Sequence, residues 1–129
     1  MTADADVYGF GGHIGIVVDL LRDGESRLSL QLADHHRNFF GIVHGGVLLT
    51  LLDQTCGAAV RSTRPPGSAQ GSVTIDLQAV FVAPARGDVL LAHGRCLRLG
   101  RSVAQCTATI EDAEGRLAAT ATGTFKLLG

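Results

Sequence analysis

Asn38, Gly41, His44, Gly45 and Gly46 lie close together in the chain, and Asp53 follows Gly45 by eight residues within the stretch LLTLLDQTCGAAV. A carboxylate among so many apolar residues is costly unless it is paired, hydrogen-bonded or open to a wet cleft. It is also a recognised source of a nucleophile or a general base. Thr50, one turn earlier, offers a local hydrogen-bond partner that would make Asp53 purely structural. Gly45 and Gly46 open the helix implied by that stretch, and without side chains they leave its first backbone N–H groups unhindered. With the positive end of the helix dipole behind them, such donors stabilise an oxyanion formed on an attacked carbonyl. The same two glycines serve equally well as a plain turn before a helix.

Helix geometry limits what these groups can do together. At about 1.5 Å per residue, Gly45 and Asp53 stand about 12 Å apart along one helix. They cannot both touch one carbonyl carbon. Two copies of the helix running antiparallel across a two-fold axis would bring Gly45 of one chain to Asp53 of the other, so the spacing predicts a homodimer with shared sites.

The elements that must position these residues are legible in outline. Residues 1–12, which include GFGG, read as a loosely ordered lead-in to one 129-residue domain. Ile14 to Leu21 and Arg27 to Leu32 flank Arg22-Asp23-Gly24, a β-hairpin signal. Ala33 to Phe40 is polar and irregular. The run VLLTLLDQTCGAAVRS after Gly46 is apolar nearly all round and predicts a buried central helix, stopped by Pro65-Pro66-Gly67. Gly57 inside it costs about 1 kcal/mol relative to alanine, which predicts a close neighbour. Ser72 to Phe81, Asp88 to Leu97, Val103 to Ile110 and Leu117 to Leu127 read as four strands, the last two joined by the turn Asp112-Ala113-Glu114-Gly115. One helix followed by a long antiparallel sheet implies an α+β domain with the sheet curled round the helix.

Composition narrows the function. The chain is 46% hydrophobic and 18% charged with a formal net charge of −1, and it has five Phe, one Tyr and no Trp. There is neither a basic surplus nor an aromatic platform for nucleic acid. The N-terminal MTADADVYGF has no basic region of a secretory signal, and the longest apolar run, Val47 to Leu52, is broken by Thr50, so no membrane span is expected. Three cysteines without CxxC spacing disfavour a disulfide framework and a zinc site, and cytoplasmic residence is expected. His35-His36 reads as a pair of solvated loop histidines rather than metal ligands, and no metal is expected. Cys56, one turn past Asp53, reads as a small buried hydrophobe rather than a nucleophile.

N-x-x-G-x-x-H-G-G followed by a helical Asp resembles the phenylacetic-acid-pathway type of hotdog-fold acyl-CoA thioesterase, here as Asn38, Gly41, His44, Gly45, Gly46 and Asp53. The resemblance continues through Val73-Thr74-Ile75-Asp76-Leu77, Phe81-Val82-Ala83-Pro84, Leu99-Gly100-Arg101-Ser102 and Ala119 to Phe125. It implies a central helix wrapped by a curved antiparallel sheet, with homodimers pairing into homotetramers. It also implies that Asp53 is the catalytic carboxylate, Gly45 the oxyanion N–H, Asn38 and His44 polarity-setting residues, and Thr74 an aid to the carboxylate. Gly100, Arg101 and Ser102, with Arg98 beside them, match the loop that meets coenzyme A, which is part of the acyl-CoA substrate; no separate cofactor is implied. Two rivals stay open: a hotdog enoyl-CoA hydratase or dehydratase using Asp and His as an acid–base pair, and a non-catalytic acyl-CoA-binding module. Position argues against the first, since His44 abuts the glycines instead of facing Asp53. A mere binder has no use for a buried carboxylate.

Overall fold

The computed structural model describes residues 9–65 and 71–129. Residues 1–8 of the expected lead-in, and Pro66 and Gly67 of the expected helix stop, lie outside that range. The rest of the lead-in is ordered. Gly9–His13 forms a short helix, α1, closed by the Ile14 N–H donating to the Phe10 carbonyl at 3.2 Å. A glycine-rich segment shows no apolar period, which is why its sequence reads as loose.

The hairpin forms as expected from β1 (Ile16–Arg22) and β2 (Glu25–Gln31). Its turn places Asp23 at φ 52° and Gly24 at φ 83°, both left-handed, as an Asp-Gly hairpin turn requires. A 3-10 turn over Asp34–His36 and the helix α2 (Gly45–Arg61) follow. Four strands complete the chain: β3 (Ser72–Phe81), β4 (Val89–Leu99), β5 (Val103–Glu111) and β6 (Leu117–Leu127). Among the described residues, these six strands join one antiparallel sheet in the order β1-β2-β4-β5-β6-β3. The sheet curls round α2, giving the α+β hotdog architecture that the resemblance implies. No helix among the described residues is long and apolar enough to cross a membrane.

The inner face of the sheet is built largely from small residues, which lets the helix sit close. Ala92, Ala104, Cys106, Ala108 and Ala121 are buried beneath it, beside Leu28, Leu30, Leu90 and Ile110. Gly94 marks the tightest approach: a Cβ there would stand 2.6 Å from the Thr55 carbonyl oxygen and 2.5 Å from the Ser26 hydroxyl. That hydroxyl already donates to the Thr55 carbonyl at 2.7 Å, clamping β2 to the middle of α2. At the far end, buried Asp112 accepts the N–H groups of Arg86, Glu114 and Arg116. Those bonds, that from Arg86 foremost, hold its carboxyl down at about 2, below the usual range.

The helix is buried on one side only, which corrects the expectation of a helix enclosed all round. Leu48, Leu51, Leu52, Thr55, Cys56, Ala59 and Val60 are buried, whereas Gly46, Leu49, Asp53, Gln54, Gly57 and Arg61 are not. The open residues recur at helical spacing and form one stripe. Apolar character nearly all round the helix conceals this, because Leu49 on the stripe is as greasy as the core positions. Gly57 meets Phe125 as expected, but at 3.6 Å from where a Cβ would stand, an ordinary contact with room for a methyl group.

Gly94→Ala should lower stability by about 1–3 kcal/mol, since the added methyl must push β4 from α2. Chemical denaturation measures this. An unchanged midpoint would contradict the close approach.

Candidate active site

The segment before α2 is a compact hydrogen-bonded loop. The Asn38 side-chain oxygen accepts the N–H groups of Phe40 (2.9 Å) and Ile42 (3.2 Å). Its backbone N–H donates to the Ile42 carbonyl at 2.8 Å, and its carbonyl accepts from Gly41 at 2.9 Å. Gly41, at φ 77°, supplies the left-handed corner of this turn. Asn38 therefore shapes the loop through its side-chain oxygen. Phe39 and Phe40 stack edge to face on its exposed tip, their centroids 5.6 Å apart.

His36 anchors the loop from beneath, correcting its reading as a solvated histidine. Its ring is buried; Nδ1 accepts the Ala33 N–H at 2.9 Å and Nε2 lies 2.6 Å from the Ile14 carbonyl. A nitrogen that accepts carries no proton, so Nε2 is the donor and the ring is neutral. The His36 carbonyl in turn accepts the His44 N–H at 2.9 Å. His35 is exposed and rests against the His36 ring. Nothing local in the sequence reveals this role, because the Ile14 carbonyl is 22 residues away.

His44 caps α2. Its Nδ1 accepts the Gly46 N–H at 2.8 Å, while its carbonyl accepts from Val47 (2.9 Å) and Leu48 (3.3 Å). Among the first donors of the helix, the Gly45 N–H has no partner among the described residues. Gly46 carries no side chain for a steric reason: a Cβ would stand 3.0 Å from His44 Nδ1. At Gly45 the nearest neighbour is the Phe81 ring, 3.1 Å from a would-be Cβ, so the start of α2 lies against the end of β3.

Two turns along, Asp53 is half-buried and Thr74 donates to it, Oγ1 to Oδ1, at 2.6 Å. The local alternative fails, since the Thr50 hydroxyl donates to the Gly46 carbonyl at 2.8 Å. A β-bulge between Thr74 and Asp76 shifts the β3–β6 register at this point, and bulges commonly re-aim a side chain next to a site. Asp53 opens onto a cleft of about 280 Å³, lined also by Gln54, Gly57, Arg61, Arg64, Ser72 and Phe125. It is thus hydrogen-bonded and at the edge of a cleft, two of the conditions under which the apolar stretch can carry a carboxylate. Arg61 was missed by the sequence reading, although its position eight residues after Asp53 is itself the signal.

The structure brings together Asp53 with Thr74, and His44 with Gly46, sets Asn38 in the loop just before them, and keeps Asp53 and Gly45 at opposite ends of the open stripe. Arg98 lies elsewhere, near the end of β4, with Gly100, Arg101 and Ser102 in the β4–β5 turn that follows, both arginines being exposed and outside the Asp53 cleft. The Ser102 carbonyl accepts from Leu127 at 2.8 Å, and Leu128 donates to the Gly71 carbonyl at 2.8 Å. The turn therefore shares one end of the sheet with Gly71 and Ser72 of the cleft. Cys56 is buried, and burial first, then the charge of Asp53, pushes its thiol up to about 12. It stays protonated and packs, as expected.

Gly46→Ala should displace the His44 ring and cost about 1 kcal/mol, the usual value of a lost helix cap. Thermal unfolding would show a melting point lower by several degrees. A variant as stable as the parent would contradict the capping role.

Comparison with known proteins places this geometry in context. The sequence profile of the thioesterase superfamily matches residues 40–119. A candidate esterase of Halobacterium salinarum is 34% identical over 131 residues, spanning 95% of this chain and 86% of its own. A hypothetical thioesterase of Streptococcus pneumoniae, solved with coenzyme A, is 28% identical with a TM-score of 0.80, covering 89% of this chain and 87% of that one. A phenylacetic acid degradation-related protein of Ralstonia eutropha, described as a candidate thioesterase, is 29% identical with a TM-score of 0.83, covering 93% and 90%.

Proposed function

The chain belongs to the thioesterase superfamily and is an acyl-CoA thioester hydrolase, and we propose that it cleaves aromatic or short- to medium-chain acyl-CoA at sites shared between two subunits. The observation that carries the reading is the Thr74–Asp53 hydrogen bond of 2.6 Å at the mouth of an open cleft. It fixes one carboxylate oxygen and leaves the other toward the substrate. Asp53 then attacks the thioester carbonyl or takes a proton from the attacking water; both need its ionised form. The Gly45 N–H receives the oxyanion at the helix N-terminus, with His44 and Asn38 holding that end in shape. Collapse of the tetrahedral intermediate expels the coenzyme A thiolate. In the general-base route it takes up the proton held by Asp53 and the acid is released. In the nucleophilic route it is protonated by solvent, and water then hydrolyses the acyl-Asp53 anhydride to the acid.

A dimer follows from the edge of the sheet. β3 is a terminal strand, paired on one side only, and Val73, Ile75, Val80 and Phe81 on it are exposed. Such an edge invites another strand. Within one chain, Thr74 touches Asp53 at one end of β3 and Phe81 touches Gly45 at the other. Antiparallel pairing of β3 with its copy sets Thr74 beside Phe81 of the partner subunit, and so Asp53 beside the partner's Gly45. Exposed Leu91 and Leu97 on β4 offer further surface for dimers to pair into a tetramer. Arg98 and the Gly100-Arg101-Ser102 turn are the proposed contacts for coenzyme A, exposed where a guanidinium reaches phosphate cheaply. The hydratase alternative is disfavoured by His44, whose Nδ1 is engaged as a cap.

Asp53→Asn keeps the shape and removes the charge. The kcat for acyl-CoA hydrolysis, read by released thiol, should fall at least about a hundredfold while the ester still binds. Activity within about threefold of the parent, or hydration of an enoyl-CoA by the parent in place of hydrolysis, would overturn the proposal.

A further inference from the structure

Two of the three cysteines meet across the sheet. Cys96 lies on β4 and Cys106 on β5, and the ladder between those strands sets the two directly opposite each other. Both belong to the inward-facing series of their strands, Cys96 two residues after buried Gly94 and Cys106 between buried Ala104 and Ala108. Cross-strand partners share a face of the sheet, so both thiols point to the side that α2 covers. Cys56 of the helix lies within electrostatic reach of the pair.

The pair is of the kind that a disulfide can span. The Cys96 N–H donates to the Gly24 carbonyl at 2.7 Å, on the β2 side of β4. In an antiparallel sheet, a residue that bonds one neighbouring strand in this way makes no ladder bond to the other. Cys96 and Cys106 are therefore a non-hydrogen-bonded pair, the type whose Cα atoms stand about 4.5 Å apart with side chains at their closest. A disulfide needs Cα atoms about 4.4 to 6.8 Å apart, so the bond closes with little movement of either strand. Oxidation would cost only the weak S–H bond from Cys96 to the Arg98 carbonyl, 3.6 Å long. Access differs within the pair: Cys106 is buried, as Cys56 is, whereas Cys96 is half-buried. Burial first, then the charges of Cys96 and Cys56 and a hydrogen bond with Cys96, push the Cys106 thiol above its usual range. A small oxidant thus meets Cys96 first, with the Cys106 sulfur already beside it.

We propose that Cys96 and Cys106 form a reversible disulfide when the protein meets a peroxide, a redox staple between β4 and β5 at the root of the Gly100-Arg101-Ser102 turn. The Cys96 thiol gives its proton to solvent, and the thiolate attacks one oxygen of hydrogen peroxide. The O–O bond breaks, Cys96 becomes a sulfenic acid, and the departing hydroxide takes up a proton as water. The Cys106 sulfur then attacks the Cys96 sulfur, the S–O bond breaks, and the leaving hydroxide carries off the Cys106 proton as a second water. Two thiols and one peroxide give one disulfide and two waters; sulfur is oxidised and oxygen is reduced. Register selects Cys106 over Cys56 as the resolving thiol, because the ladder holds it opposite Cys96. The bond closes a loop that spans Leu97 to Gln105, and so restricts the unfolded chain more than the folded one. None of this depends on the thioesterase reading.

The test treats the full-length, reduced protein with hydrogen peroxide under native conditions, quenches with an alkylating agent and maps peptides by mass spectrometry. The expected product has lost two hydrogen atoms and carries a Cys96–Cys106 link, with Cys56 alkylated only after unfolding. Dithiothreitol should reverse the link. The linked protein should melt several degrees above the reduced one. Cys96→Ala should give no link under the same treatment. Cys106→Ala should stop at a sulfenic acid on Cys96, which dimedone traps; should that variant fail to fold, the wild-type map and Cys96→Ala decide the matter. Thiols that stay unlinked in the folded protein, a link that takes in Cys56, or a linked protein that melts no higher than the reduced one would each overturn the proposal.

Discussion

A helix advances about 1.5 Å per residue, so the eight residues from Gly45 to Asp53 hold a bare N–H and a carboxylate at fixed stations about 12 Å apart. Neither can move toward the other without unwinding α2, and α2 is clamped. Ser26 bonds the Thr55 carbonyl and Gly94 lies against it. Much of the remaining architecture can be understood as accommodating this separation. The small residues under the helix bring it close to the sheet. The sheet stops short of enclosing it, leaving a stripe that carries both chemical groups. The edge strand β3 runs beside that stripe, touching Asp53 through Thr74 and Gly45 through Phe81. In the proposed dimer, a two-fold partner on that edge would exchange the ends, and the separation within one chain would become proximity between two.

Two polar groups on the stripe, the Asp53 carboxylate and the Gly46 N–H, find partners. Asp53 has Thr74 and an open cleft. The Gly46 N–H is spent on His44. The Gly45 N–H keeps its capacity, the kind of unmatched donor that a folded chain tolerates at an exposed helix start and a substrate can use. His36, neutral and buried, holds the loop in register by bonding Ile14 on one side and passing its carbonyl to His44 on the other.

How much of this the sequence discloses follows from the range of each interaction. The Asp-Gly hairpin, the turn at Asp112 and the extents of β3 and β6 depend on neighbours in the chain, and they emerge as read. So does α2, whose start is written in its two glycines. The face that α2 leaves open is not legible, because Leu49 is apolar and only the curl of the sheet decides which side stays uncovered. Asp53 illustrates the division well: Thr50 and Thr74 are both reasonable partners, and only the β3 register, bulged at Ile75, selects the distant one. His36 is misread because its partner is 22 residues away. The helix at Gly9–His13 escapes notice because glycines carry no period. Arg61 was legible in spacing from Asp53, but its relevance depends on a cleft that exists only in three dimensions.

The central claim is that each site takes Asp53 from one subunit and Gly45 from the other, and mixing two inactive chains tests it most directly. Asp53→Asn removes the carboxylate, and Gly45→Pro removes the N–H at a helix position where proline is tolerated. In a mixed dimer, one shared site has lost both groups and the other keeps both. Co-expressed in equal amounts, the two chains should recover about a quarter of wild-type activity, since about half the dimers are mixed and each has one intact site. Mixed dimers verified by native mass spectrometry, yet no more active than either parent, would show that the two groups do not meet across the interface.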